Sequence, residues 1–404
     1  MKPRFLKTAV ALLASGLAAS SVWAAGNVIR IGVLTDLTSP ATDVTGVAAI
    51  EAVKLAVEDF GGAAAGKKIE VIFADFQNKP DVGATIARRW IDEEGVDVIT
   101  DVANSAVAIA VSNVVREKNK VLLAVSAAST ALTGENCSPN TVQWVHGSWA
   151  MAAATKAAVQ GGGASWYFIT ADYALGYDLE KVAAGAVTGS GGKVVGSVKH
   201  ALGAPDFASQ LMQAQASGAS VVGVASAFDG VNIMKQAAEF GLTRNKKQKM
   251  FMLMTTIGEI NGAGLQVTKG LQLTTPWYWD QDDASRAFTK RLQERTNGKV
   301  TTQHHAGNYS AVTHYLKAVA ALNDASDGRK VVDKMKEMPT KDPLYKDGTV
   351  RADGRKIHPM NVYEVKAPEE SKYKYDYLRF VRSVPGDEAF RPLALGQCAF
   401  VKKS

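Results

Sequence analysis

The chain is predicted to be an α/β protein with two doubly wound parallel-sheet lobes, joined by a three-strand hinge and enclosing a ligand cleft. Three observations lead there. Short apolar strands alternate with amphipathic helices, which is the rhythm of a parallel sheet covered on both faces. The rhythm pauses midway and then starts again. At 404 residues, with 47% apolar and 21% charged content, the chain is too long for one ordinary domain and can bury a large core.

The first series opens with VIRIGVL (28–34), a helix over 46–60, KIEVIFAD (68–75) and a helix over 81–94. In the first helix Val47, Ile50, Val53, Val57 and Phe60 recur at three and four residues, while Glu51, Lys54, Glu58 and Asp59 fall on the other side. VDVIT, a helix over 106–118 and KVLLAV continue the series, which pauses at TVQWVHGSW. The second series is SWYFIT (165–170), a helix from Tyr173, KVVGSVK (193–199), a helix over 207–217, SVVGVA (220–225), a helix over 230–240 and MFMLM (250–254). After GLQLTTPWYWD (270–280) three helices follow, over 284–296, 309–323 and 329–338. Helices without strands must cover a sheet made elsewhere, so they are placed back on the first lobe. The tail, with DGTVRADGRKIHPMNVYEVK and YDYLRFVRSV, reads as hairpin-like strands closing a third crossing. Lobe 1 is therefore assigned residues 25–145 and 278–350, and lobe 2 residues 146–277 and 351–404.

Residues 1–24 read as a secretory signal: Lys2, Arg4 and Lys7, an apolar run over 9–19, then Val22 and Ala24 ahead of the cleavage point. The apolar run is shorter than the roughly 20 residues a bilayer-spanning helix needs, so export to the periplasm is expected. No cysteine lies at the cleavage region, and a lipid on a terminal thiol is not expected. Loss of those three basic residues takes the formal charge from +7 to +4. The remaining Lys and Arg are scattered among acids, which gives nucleic-acid binding no support; contact with membrane components is expected to be transient. Cys137 and Cys398 enter an oxidising compartment and are expected to pair. The closed loop of about 260 residues is worth about 4 to 5 kcal/mol in the chain-entropy account.

Motifs for catalysis are absent: no G-x-S-x-G, H-E-x-x-H or P-loop. GSGGKVVG (189–196) precedes a strand, the wrong order for dinucleotide binding, and reads as a helix stop and turn. His304 and His305 are placed ahead of a helix with no acidic or cysteine partner at ligand spacing, so neither a metal nor a cofactor is expected. Asp172 and Asp229 each follow a strand, and nothing in the sequence brings them together as acid and base. An enzyme is not expected.

In open parallel sheets ligands bind beyond the carboxyl ends of the strands. Here VDVIT runs into Asn104-Ser105 at a helix start, and VLLAV runs into SAAST (126–130). Unpaired backbone amides at such starts, with hydroxyls beside them, suit a carboxylate without a cationic partner. The alternative, that Ser105 and Ser129 only cap their helices, stays open. Trp277, Tyr278 and Trp279 at the second crossing, and Phe228 after another strand, serve either as core or as surfaces for an apolar ligand body.

The order of IRIGVLTDLTSP, AVEDFGG, the strand-Asn-Ser-Ala-helix element, VLLAVSAASTALTG, TADYALG, QAAEFGL and DGRKIHPMNVYEVK resembles periplasmic solute-binding proteins of the leucine/isoleucine/valine class, over nearly all of the mature chain. The resemblance implies a type I periplasmic binding fold that closes on a small carboxylate-bearing solute and delivers it to an ABC transporter permease; the alternative is a ligand sensor for a membrane signalling receptor, ahead of an exported enzyme. It implies carboxylate contacts from Ser105, Ala127, Ala128 and Ser129. The opposite lobe of that family supplies a tyrosine from D-x-x-Y-G and an acid that grips an ammonium group. This chain departs at both points. Leu175 stands at the tyrosine position, with Tyr173 two residues earlier, and Thr255 or Thr256 stands at the acid position, with Glu259 further on. An aromatic acid therefore competes with a branched-chain or other hydrophobic amino acid as ligand.

Overall fold

The computed structural model describes residues 28–152, 164–242 and 247–401. The secretory signal assigned to 1–24 lies outside them. Strands β1 (Val28–Thr35), β2 (Ala63–Ala64), β3 (Lys67–Asp75), β4 (Val98–Asp101), β5 (Val121–Ala124) and β6 (Thr141–Gln143) form one sheet in the order β2-β3-β1-β4-β5-β6. All its pairings are parallel except that of β2 with β3. β7 (Ser165–Ala171), β8 (Lys193–His200), β9 (Val221–Ala225) and β10 (Lys249–Met252) form a second, wholly parallel sheet in the order β10-β9-β7-β8. The fold is the expected α/β class with two doubly wound sheets. In each sheet the first strand lies between later ones, so the strand order reverses at β1/β4 and at β7/β9, and crevices open there.

Both faces of the first sheet are covered. Helices Gly46–Asp59 and Gln303–Leu322 bury one face with Trp144, Trp277, Phe288 and Tyr315; helices Pro80–Asp92 and Ser105–Glu117 bury the other with Phe76, Trp90, Val107 and Val111. Trp90 lies flat on β1: a Cβ on Gly32 would stand 2.6 Å from the indole, so only glycine fits. The return of the late helices to the first lobe is as expected, with one correction. The second of them begins at Gln303, not 309, and takes His304 and His305 into its first turn. Residues 303–312 are buried all round, so the polar run QHHAGNYS shows no amphipathic stripe. His305 Nδ1 accepts the Thr302 amide at 3.1 Å and its Nε2 meets the Thr45 carbonyl at 3.1 Å, which makes it a cap.

β11 (Gln272–Thr275) joins neither parallel sheet. It pairs antiparallel with β15 (Met360–Val365), which pairs antiparallel with β16 (Leu378–Val384). β12 (Thr340–Asp342), β13 (Lys346–Val350) and β14 (Lys356–Ile357) form a small antiparallel sheet of their own. The hairpin β13–β14 spans the expected lobe boundary at 350/351, so the third crossing follows Ile357. Arg355 fastens that crossing to the first, donating to the carbonyls of Trp144 and His146 at 2.7 Å each, and His358 meets the Val145 carbonyl at 2.8 Å. Cys137 and Cys398 are bonded, and Arg391 donates to the carbonyls of Thr130 and Thr133, so the C-terminal segment is tied to lobe 1.

Candidate functional site

β4 ends in two non-glycine residues with left-handed backbone, Asp101 (φ 80°) and Val102 (φ 53°). Such conformations cost on the order of 1 kcal/mol or more each and concentrate where a site is shaped. The chain then enters helix Ser105–Glu117 with Asn104, not Ser105, as its cap: Asn104 Oδ1 accepts the amides of Ala106 (2.8 Å) and Val107 (3.3 Å). Ser105 thus keeps its hydroxyl for another partner, and it accepts the Ser129 amide at 3.2 Å. Ser129 does cap, with its Oγ accepting the Ala131 amide at 3.2 Å over the 3-10 turn Thr130–Thr133.

The carbonyls of this second turn are all held. Gln143 Nε2 donates to those of Ala127 and Ser129 at 3.0 Å each, and the Ser148 amide donates to that of Ala128 at 2.8 Å. The amides of Ser105, Ala127 and Ala128 have no acceptor among the described residues, and all three residues are buried. Asp101 lies beneath, accepting Ser126 Oγ at 2.6 Å and Asn308 Nδ2 at 3.1 Å; burial raises its carboxyl above the ordinary range.

Tyr173 occupies the cap position of helix Ala174–Gly189 after β7; its hydroxyl is buried with no hydrogen-bond partner among the described residues, and burial raises its phenol, which stays neutral. Phe228, after β9, is left-handed (φ 77°) and packs both on the cluster of Val102, Ala103 and Ala127 and on that of Ala128, Leu175, Ala227, Leu253 and Met254. It therefore bridges the two lobes. Thr255 is buried with an unpaired hydroxyl. Thr256 caps helix Ile257–Ala263 and forms a reciprocal box with Glu259: the Glu259 amide donates to Thr256 Oγ1 (3.3 Å) and the Thr256 amide to Glu259 Oε2 (2.9 Å). The other carboxyl oxygen, Oε1, is buried without a hydrogen-bond partner, and burial lifts the Glu259 pKa to about 7. That oxygen lies against the start of helix Gly230–Glu239, where a Cβ on Gly230 would come within 2.4 Å of it.

The structure thus brings together Asn104, Ser105, Ala127, Ala128, Ser129, Tyr173, Phe228, Thr255 and Thr256 at strand ends of the two sheets. One candidate sits elsewhere: Trp277 is packed in the lobe 1 core against Phe288, with Nε1 donating to Ser285 at 3.0 Å, whereas Leu175 is a buried residue of the cluster that holds Ala128 and Phe228. Asp172 is exposed and accepts the Tyr177 hydroxyl, whereas Asp229 is buried on Ser226 and the Gly203 amide, so the two have separate partners. Sequence reasoning missed Gln143 and Asp101; a lone glutamine inside the otherwise apolar TVQW was the available signal for the first.

The strand ends of the two parallel sheets meet at Phe228, and strand ends are where open α/β sheets bind ligands. The chain belongs to the periplasmic binding protein family, whose profile matches residues 28–372, and that family is a solute-binding class, not an enzymatic one. It is 43% identical to a periplasmic binding protein from Burkholderia mallei, whose crystal structure covers 93% of this chain and 100% of its own at a TM-score of 0.89. It is 36% identical to a branched-chain amino acid ABC transporter periplasmic ligand-binding protein from Burkholderia xenovorans (92% and 99% covered, TM-score 0.82). A solute-binding protein from Rhodopseudomonas palustris in complex with 3,4-dihydroxybenzoic acid is 22% identical (89% and 98% covered, TM-score 0.78), a likeness of fold alone.

Proposed function

We propose that this protein is exported, captures a small carboxylate-bearing solute with an apolar body by closing its two lobes, and hands it to the permease of an ABC importer. The carrying observation is the set of buried, acceptor-free amides at Ser105, Ala127 and Ala128, beside the hydroxyl of Ser129. Oriented amides at turn starts solvate an anion in place of water. Ala127, Ala128 and Phe228 supply apolar surface for the rest of the molecule. Closure follows from contacts available only when both lobes touch the solute, so it is selected by differential affinity. Tyr173, Thr255 and Glu259 face the solute's other end in this reading. Glu259 favours an ammonium group there, and with it a branched-chain or other hydrophobic amino acid; the aromatic-acid complex of the same fold keeps a benzoate-like ligand in contention. A calorimetric panel of leucine, isoleucine, valine, phenylalanine, benzoate and hydroxybenzoates tests it. Binding of at least one carboxylate, with its amide isostere rejected, is expected; equal binding of acid and amide refutes the anion site.

A further inference from the structure

Asp178 lies on helix Ala174–Gly189 of lobe 2, yet its carboxylate reaches lobe 1. Oδ2 accepts the Thr130 backbone amide at 2.7 Å, Oδ1 accepts the Thr130 hydroxyl at 2.7 Å, and the Ser148 hydroxyl of the first crossing donates to the same group. Thr130 directly follows Ser129 and opens the 3-10 turn that Ser129 caps. The carboxylate therefore occupies the amide at the turn's start that a solute anion would otherwise meet, and leaves those of Ser105, Ala127 and Ala128 for the solute. The far side of the turn is held independently: Arg391 donates to the Thr130 and Thr133 carbonyls, and the Cys137–Cys398 bond pins the segment that carries Arg391. Ser148 is in place because its own amide donates to the Ala128 carbonyl at 2.8 Å.

We infer that Asp178 is a positioning residue: an inter-lobe latch that draws lobe 2 onto the carboxylate-binding turn and supplies part of the closure energy from the chain itself. This rests on the assignment of the turn to solute binding. Charge-assisted hydrogen bonds are the strong ones, and an aspartate carries only two rotatable bonds, so the contact requires the helix and the turn to be adjacent. Lobe separation breaks it, so it holds part of the solute-free population closed.

The test compares Asp178→Ala with the unaltered protein by solution scattering without solute and by calorimetry with leucine and with benzoate. Loss of the latch is expected to raise the solute-free radius of gyration, and to weaken whichever probe binds by about tenfold, the scale of hydrogen bonds to a charged group. Asp178→Glu is expected to recover part of both. If Asp178→Ala does not fold, the double variant Thr130→Val with Ser148→Ala removes two donors and leaves the carboxylate. Unchanged scattering overturns the latch, whatever the affinity does. Should neither probe bind the unaltered protein, the solute assignment fails for those compounds, and the scattering comparison still decides the latch.

Discussion

The Ser105 hydroxyl accepts the Ser129 amide across 3.2 Å, so the turns after β4 and β5 are one hydrogen-bonded unit. The arrangement depends on a division of labour at the helix start. Because Asn104 takes the capping role with two amide bonds, Ser105 is free to reach the neighbouring turn. Gln143 and Ser148 hold the carbonyls of residues 127–129, and the amides left over belong to the positions assigned to the solute anion.

Replacing Ser105 with alanine removes that link while Asn104 still caps the helix. Ser105→Ala is therefore expected to keep the helix and to lose affinity for a carboxylate solute by about 1 to 3 kcal/mol, the range for a hydrogen bond to a charged group. Asn104→Ala should show the converse, a loss of about 1 kcal/mol in stability from the missing cap. Calorimetry and thermal melts on both variants separate the two roles. An unchanged solute affinity in Ser105→Ala would remove the turn pair from the site.

Glu259 makes a pH prediction. Burial lifts its pKa from 4.5 to about 7, so the folded protein takes up a proton there that the unfolded chain releases above pH 4.5. Its contribution to stability is accordingly present below pH 4.5 and is lost as pH rises through 7. An ammonium group arriving beside Oε1 favours the ionised form and expels the proton. Amino acid binding at pH 6.5 should then release up to about three-quarters of a proton, read as a buffer-dependent calorimetric enthalpy, and Glu259→Gln should abolish the release. A benzoate-type solute offers no cation and should release none.

The parallel-sheet architecture was legible because each strand is a short apolar run between helices of clear 3.6-residue period, as in the helix over 46–60. The positions of the small polar residues were legible too: Asn104, Ser105 and Ser129 fall at the helix and turn starts that follow β4 and β5. What escaped was whatever depends on contacts between distant parts of the chain. Residues 303–308 are buried on every side, so no polar face marked them as helix. Trp277 sits in an aromatic cluster by sequence, but Ser285 and Phe288 on the next helix draw it into the core. Glu259 stands three residues past the expected acid position, yet one turn of helix from Thr256 brings its carboxyl back to that cap. Gln143 and Asp178 act on the Ala127–Thr130 turn from 13 or more positions away, beyond any local pattern.

The histidines predict the acid limit of the fold. Of the six in the chain, five are held uncharged by burial: His146 falls from the usual 6.5 to about 3, His305 and His314 to about 4, and His304 and His358 well below their ordinary value. Backbone carbonyls offset this only in part for His305, His314 and His358. Among the described residues neither ring nitrogen of His146 or His304 has a hydrogen-bond partner, and the two rings meet edge to face at 4.9 Å, so a proton on one would face the other, and on His146 the buried Arg355 as well. In the unfolded chain all five titrate near 6.5. Above that pH both states are neutral and the histidines cost nothing; as pH falls from 6.5 toward 4 the unfolded state gains protons that the folded state refuses, and stability is lost. Each such histidine removes up to about 1.4 kcal/mol per pH unit in that window. Melting temperature should fall steeply from pH 6 to 4.5, against the smaller opposite contribution of Glu259. Because His146 and His358 lie at the first and third crossings, the same window should loosen the hinge first, raising hydrogen exchange at 144–148 and 355–359 before the edge strands β2 and β8 respond. A melting temperature that holds level to pH 4.5 would mean that these rings are charged or solvated in the folded protein.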